Sequence, residues 1–178
     1  MSLKAFSDWV YNFKNWQGNW IWLPTDFETP NLTAYMRKVV NLSSAPQEAW
    51  CVITADNQYI LYVNGRIVGQ DWVFGGGWSV VKPYNILPFL KAGDNIISVE
   101  AYNYLGPGAL FFESKIKGKD YSTQILSDES WLSSKVKEEK WTNLNFNDSK
   151  WEKTKIYGKP PGPPWGGDLI IAPLRQEK

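Results

Sequence analysis

The chain has 178 residues, 43% of them hydrophobic, with 19 basic and 18 acidic side chains for a net charge of +1. That length suits one domain able to bury its own core, and the scattered lysines build no one-sided basic surface of the kind nucleic acid requires. Histidine is absent, which removes Ser-His-Asp and Cys-His nucleophiles and His-based metal sites, and no run nears the ~18 apolar residues of a membrane span.

Ser7 to Trp16 places Trp9, Phe13 and Trp16 at helix-compatible spacing behind a Ser7 N-cap, predicting a short N-terminal helix on the domain's flank. The N-terminus lacks the basic-then-apolar order of a signal peptide, which leaves the localisation open between a cytoplasmic protein and one exported with a parent enzyme. From Ala34 the pattern turns to strands. Tyr35 to Leu42 is β-rich, and Trp50 to Ala55 is nearly all apolar, carrying the single cysteine, Cys51, as an inert buried thiol. Tyr59 to Val63 and Arg66 to Gly69 flank Asn64-Gly65, a two-residue hairpin signal. Trp78 to Lys82 is expected as a further short strand. After the turn at Ala92 to Asn95, Ile97, Val99 and Ala101 share one face of a strand ending at Asn103, while Ser98 and Glu100 take the other. Leu110, Phe112, Ser114 and Ile116 alternate likewise against Phe111, Glu113, Lys115 and Lys117.

Many short strands between turn signals predict an all-β fold, an antiparallel β-sandwich in one domain over 1–178, with its core at 20–127. After Asp128, Trp131, Trp141, Trp151 and Trp165 stand in polar, strand-poor surroundings. Residues 128–178 are therefore expected to lie along the sandwich as an extended arm, anchored by these Trp side chains in apolar grooves.

The chain carries 11 Trp, 9 Tyr and 8 Phe, and several Trp sit in loops: Gln70-Asp71-Trp72, Gly75-Gly76-Gly77-Trp78 and Pro163-Pro164-Trp165-Gly166. A loop Trp presents a flat apolar face and one N–H donor, which suits the C–H face of a sugar ring. Any one of them serves equally as core filler, but the cluster points to a binding surface. Asp56-Asn57, Asn103 and the Gly106-Pro107-Gly108 loop gather oxygen donors at strand ends. Such residues commonly cap turns, and they also match the oxygen ligands that calcium takes. For glycoside hydrolysis the candidates are Asp26, Glu28, Asp71, Glu100 and Glu113, of which two would have to flank the scissile bond. Acids on strand faces are common, and the expectation is that the chain is not an enzyme.

Trp20-Ile21-Trp22, Tyr35-Met36-Arg37-Lys38, Ile53-Thr54-Ala55-Asp56-Asn57, Tyr59 to Gly65, Gly93 to Asn103, Asn147-Asp148-Ser149-Lys150-Trp151 and Pro164-Trp165-Gly166 resemble the accessory β-sandwich of bacterial α-L-rhamnosidases, a galactose-binding-domain-like jelly roll. The resemblance runs from about Trp20 to Gly166, and the family's catalytic (α/α) barrel has no counterpart in this sequence. It implies a carbohydrate-binding module, in some members calcium-dependent and specific for L-rhamnose, whose partner is the catalytic domain of a parent glycosidase. Matched residue by residue, it assigns Asp56, Asn57, Asn103 and the Gly108 carbonyl to calcium. Sugar contact falls to Trp72 and Trp78, with Asp71 and Asn103 beside them. The alternative is an accessory domain that is purely structural and has no sugar site.

Overall fold

The computed structural model describes residues 15–71 and 77–173. Among the described residues thirteen strands form two sheets facing each other across a common core. They are β1 (Trp20–Trp22), β2 (Leu32–Leu42), β3 (Glu48–Asp56), β4 (Gln58–Val63), β5 (Arg66–Asp71), β6 (Val80–Asn85), β7 (Gly93–Asn103), β8 (Ala109–Lys117), β9 (Ser122–Leu126), β10 (Leu132–Ser134), β11 (Glu152–Lys153), β12 (Lys155–Gly158) and β13 (Ile170–Ile171). One sheet runs β12-β1-β8-β3-β6-β13 with β9 beside β8, and the other runs β11-β10-β2-β7-β4-β5. Every pairing is antiparallel except that of β13 with β6. The antiparallel jelly-roll sandwich expected from the sequence is the fold. Among the described residues no helix is long and apolar enough to cross a membrane.

The β4–β5 hairpin turns at Asn64 and Gly65, with φ of 51° and 78°, the positive values that a two-residue turn demands of both its residues. The inward sets of the alternating strands meet between the sheets: Met36, Cys51, Ile53, Leu61, Val99, Leu110 and Phe112 are buried in one cluster with Trp22. Burial pushes the Cys51 thiol pKa up, which keeps it an unreactive core side chain.

Part of each outer face is apolar as well, and those parts are covered. On the face of the β3–β8 sheet, Val52, Val81, Ala109 and Phe111 pack with Trp16, Trp20, Trp165 and Leu169. On the other sheet, Tyr35 and Tyr62 are capped by Trp141 and Trp151. Arg37 is buried beneath this cap, with Nη2 donating to the Asn143 carbonyl at 3.2 Å and Nε 3.2 Å from Asp148 Oδ2 in an ion pair.

The segment after Asp128 does anchor through its Trp side chains, but it is not strand-poor. It adds β10 and β11 to one sheet and β12 and β13 to the other. These strands have two to four residues, and pairing with existing edges sets them rather than any periodicity of their own. Gly77–Ser79, the start of the strand expected at Trp78, is instead a 3-10 turn, and β6 begins at Val80. The expected N-terminal helix lies almost wholly outside the described residues; Trp16, its last position, is not helical.

Candidate functional site

The register of the two sheets brings the predicted ion ligands to one end of the sandwich. Asp56, the last residue of β3, pairs with Ala109, which follows Gly108 at the start of β8. The chain then crosses between sheets through a cis Asp56–Asn57 peptide, and Asn57 N–H donates to the Tyr102 carbonyl at 2.7 Å. That places Asn57 beside Asn103, the last residue of β7. Asp56, Asn57, Asn103 and Gly108 thus lie together, although 52 positions separate the first from the last.

Each side chain has definite partners. Asp56 Oδ2 accepts from Trp165 Nε1 at 3.0 Å. Burial pushes the Asp56 carboxyl above the ordinary aspartate range, and the indole donor draws it part of the way back. Asn57 Oδ1 accepts from Tyr104 N–H at 2.7 Å. Asn103 Nδ2 donates to the carbonyls of Thr29 at 3.0 Å and Gly106 at 2.8 Å. Two carbonyl partners fix the orientation of the amide, and they leave Asn103 Oδ1 buried with no hydrogen-bond partner among the described residues. A buried acceptor left unpaired costs about 1–3 kcal/mol, and a hydrogen-bond donor or a cation would satisfy it. Gly108 is held by donation to the Phe27 carbonyl at 2.7 Å, and a Cβ there would lie 2.3 Å from Trp22 Cε2. Only glycine lets the loop sit this close to the ring.

Among the described residues no three His, Cys, Asp or Glu side chains gather in a way that could hold a metal. A cation here would be held by amide and backbone oxygens beside the single carboxylate of Asp56, a donor set of the hard, oxygen-only kind.

The predicted sugar contacts are placed less uniformly. Trp72 lies outside the described residues. Trp78 is half-buried and meets Trp20 edge to face at 6.3 Å, and Trp20 in turn packs on Trp165 at 4.9 Å, so the two predicted clusters connect through one aromatic row. Asp71 is buried at the sandwich edge, ion-paired with Lys82 Nζ at 2.6 Å. Trp165, which the loop pattern assigns to a binding surface, is only 7% exposed; it supports Asp56 from below rather than facing solvent. Sequence reasoning missed this role, and also missed Tyr104 and Leu105, 53% and 69% exposed on the loop that follows Asn103.

Of the acids considered for hydrolysis, Asp71 and Glu100 line one cavity, each held in an ion pair, and Glu28 is exposed. Asp26 pairs with Lys135 and Glu100 with Lys137, while Glu113 Oε2 accepts from the Gln17 and Gly18 N–H groups at 2.8 and 3.0 Å.

No family model matches the chain. An α-L-rhamnosidase of Streptomyces avermitilis is 28% identical over 122 residues, covering 65% of this chain and 12% of that protein. Its crystal structure complexed with L-rhamnose superposes with a TM-score of 0.81 at 27% identity, covering 87% of this chain and 16% of that one. The chain resembles an accessory β-sandwich module of α-L-rhamnosidases. A Formosa agariphila α-L-rhamnosidase is 30% identical over 105 residues, 51% of this chain and 11% of its own length. The lectin of Pleurotus ostreatus, solved in apo form and in complex with GalNAc, matches with a TM-score of 0.79 at 27% identity over 88% of this chain and 46% of the lectin. The chain therefore spans only a small part of the rhamnosidases it matches.

Proposed function

We propose that the chain is a non-catalytic carbohydrate-binding module that takes an L-rhamnose-like sugar through a calcium ion at the Asp56–Asn103 end of the sandwich. The observation that carries the reading is the buried Asn103 Oδ1, without a hydrogen-bond partner among the described residues, at the same end of the sandwich as Asp56. Likeness to a rhamnosidase solved with L-rhamnose and to a lectin solved with GalNAc supports the carbohydrate class.

Asp56 would supply the one formal negative charge, Asn57 and Asn103 their side-chain amide oxygens, and the Gly106–Gly108 loop a carbonyl. When bound, calcium supplies a cationic centre whose remaining coordination places accept sugar hydroxyls. Trp165 holds the Asp56 carboxylate in place, and Tyr104 N–H holds Asn57. Trp78 offers a half-buried ring to an apolar sugar face. A shallow site of this kind buries little ligand surface and gives modest affinity.

The second reading, a purely structural accessory domain, is favoured by two contacts. The Trp165 and Tyr104 donors already occupy one oxygen each of Asp56 and Asn57. Titration with L-rhamnose, with and without a chelator, separates the two. Asp56→Ala should abolish calcium and sugar binding together and leave the fold intact, at a stability cost of about 1.5–3 kcal/mol for the lost bond from Trp165. Trp78→Ala should weaken sugar binding by about 1 kcal/mol, roughly fivefold, and spare calcium. Rhamnose binding that survives Asp56→Ala would leave the structural reading standing.

A further inference from the structure

The outer face of the β2-β7-β4 sheet carries three successive rows of paired residues. Nearest the Asp56–Asn103 end, Thr33 pairs with Tyr102 and Tyr102 with Gln58. The next row is Tyr35, Glu100 and Ile60, and the third is Arg37, Ser98 and Tyr62. Trp141 covers the third row and part of the second, meeting Tyr62 at 5.7 Å and Tyr35 at 5.2 Å. It stops there. The uncovered stretch is a cavity of about 260 Å³ lined, among the described residues, by Thr33, Gln58, Tyr59, Ile60, Asp71, Glu100 and Tyr102.

Its lining is preset and chemically specific. Tyr102 is held by donation of its hydroxyl to Asn31 Oδ1 at 2.9 Å. Both carboxylates are already neutralised, Glu100 by Lys137 at 3.0 Å and Asp71 by Lys82 at 2.6 Å. Paired in this way they still accept hydrogen bonds from hydroxyls, and they present no net charge to attract an ion of either sign. Ile60 and the Tyr102 ring supply an apolar surface, and Gln58 and Thr33 supply donors and acceptors. A neutral polyhydroxyl ring fits that set. The volume lies below the roughly 300 Å³ at which drug-sized pockets begin, which suits one sugar residue and not a chain.

Position decides which sugar residue. Gln58 directly follows Asn57, and Tyr102 directly precedes Asn103. Consecutive Cα atoms are about 3.8 Å apart, so the backbone of the groove ends one residue from two of the candidate ion ligands, while successive strand side chains point to opposite faces and that of Asn103 is buried. The lip between them is Asn31, Asn57 and Tyr104, tied by the Tyr104 N–H to Asn57 Oδ1 bond and by Asn31 N–H donating to the Tyr104 carbonyl at 3.1 Å. The Tyr104 side chain stands 53% exposed on it.

We propose that this groove is a second sugar subsite, which takes the residue linked to the one held at the Asp56–Asn103 end, with the chain crossing the Tyr104 lip. The module then recognises an oligosaccharide by its linkage rather than a lone monosaccharide. The proposal rests on the function proposed above, and the experiment tells the two failures apart.

Isothermal titration compares L-rhamnose with a panel of L-rhamnosyl disaccharides that differ in linkage, on the wild-type chain and on Gln58→Ala and Glu100→Gln. At least one disaccharide should bind about tenfold more tightly than L-rhamnose. Both substitutions should reduce that advantage several-fold and leave L-rhamnose affinity as it is. Equal affinity for the monosaccharide and every disaccharide overturns the subsite and spares the ion site. So does a Gln58→Ala variant that weakens both sugars alike. If L-rhamnose fails to bind but a disaccharide binds and is lost in Gln58→Ala, the groove stands and the ion-site reading falls; binding of neither sinks both.

Discussion

Replacing Trp165 by Phe isolates one hydrogen bond at the candidate site. Trp165 is 7% exposed, packs on Trp20 at 4.9 Å and on Phe27 at 5.8 Å, and donates Nε1 to Asp56 Oδ2 at 3.0 Å. Phe keeps most of the ring burial and deletes the donor. A hydrogen bond to a charged group contributes about 1.5–3 kcal/mol, so Trp165→Phe should lose about that much at pH 7, a fall of roughly 3–12 °C in Tm for a domain of this size. Trp165→Ala removes the ring as well and should lose about 3–5 kcal/mol, within the ~4–6 kcal/mol ceiling set by burying ~150–250 Å² at ~25 cal/mol/Å². The difference between wild type and Phe should depend on pH. Trp165 favours the ionised carboxylate, so its advantage is present at neutral pH and is lost as pH falls through the folded pKa of Asp56. Burial, the larger influence, holds that pKa above the ordinary aspartate range, so the gap should close before exposed aspartates titrate. Urea denaturation of both proteins across that range measures it. A Trp165→Phe variant within about 0.5 kcal/mol of wild type at pH 7, or a gap that survives acidification, would refute the assignment of this bond.

Trp151→Ala removes a ring that is 8% exposed and faces Trp141 at 6.1 Å and Phe146 at 5.6 Å, and should lose about 3–5 kcal/mol in denaturant melts; unchanged stability would mean that residues 141–151 are not anchored. Gly108→Ala puts a Cβ 2.3 Å from the buried Trp22 ring and should lower stability by about 1–3 kcal/mol, read as a drop in Tm, whereas an unaltered Tm would show that the loop moves aside freely. Glu113 is fully buried with Oε2 engaged and Oε1 without a hydrogen-bond partner among the described residues, and burial raises its pKa. The folded state therefore binds its proton more tightly than the unfolded chain, so stability is fullest below the ordinary glutamate range and declines as pH rises through the raised value. Glu113→Gln should flatten that decline, and parallel stability–pH curves for the two proteins would contradict it.

The strands that build the core were legible because their patterns are local. Asn64-Gly65 announces its turn, and Ile97, Val99 and Ala101 stand on one face wherever the partner strands come from. Alternation also gave the inward set of β8, but it left Phe111 and Glu113 as an outer face, and in the fold both are buried. What covers them, Trp16, Trp20 and the Gln17–Gly18 backbone, is about 90 or more positions away. The short strands after Asp128 were illegible for a related reason. Glu152 and Lys153 are both exposed, so no periodicity marks them, and they are strands only because Leu132 and Ser133 present an edge.

The candidate site divides along the same line. Its oxygen donors could be read as residue types at strand ends, and the sheet register brings them to one place. Their partners could not be read. The donor to Asp56 lies 109 positions away, in a Pro-rich stretch whose Trp looks in sequence like a solvent-facing platform. Adjacent prolines and glycines mark Trp165 as belonging to a loop, and loops usually run over the surface, yet this loop returns across an apolar sheet face that needs covering. The aromatic count therefore misleads position by position. Among the described residues Trp16, Trp20, Trp141, Trp151 and Trp165 insulate the faces of the sandwich, and an exposed aromatic beside the candidate ion ligands is Tyr104, set in a loop whose backbone Asn31 and Asn57 hold from both sides. A binding surface here is best sought where the Trp-bearing segments stop: at the sandwich end around Asn103, and on the uncovered rows of Gln58 and Tyr102 next to it.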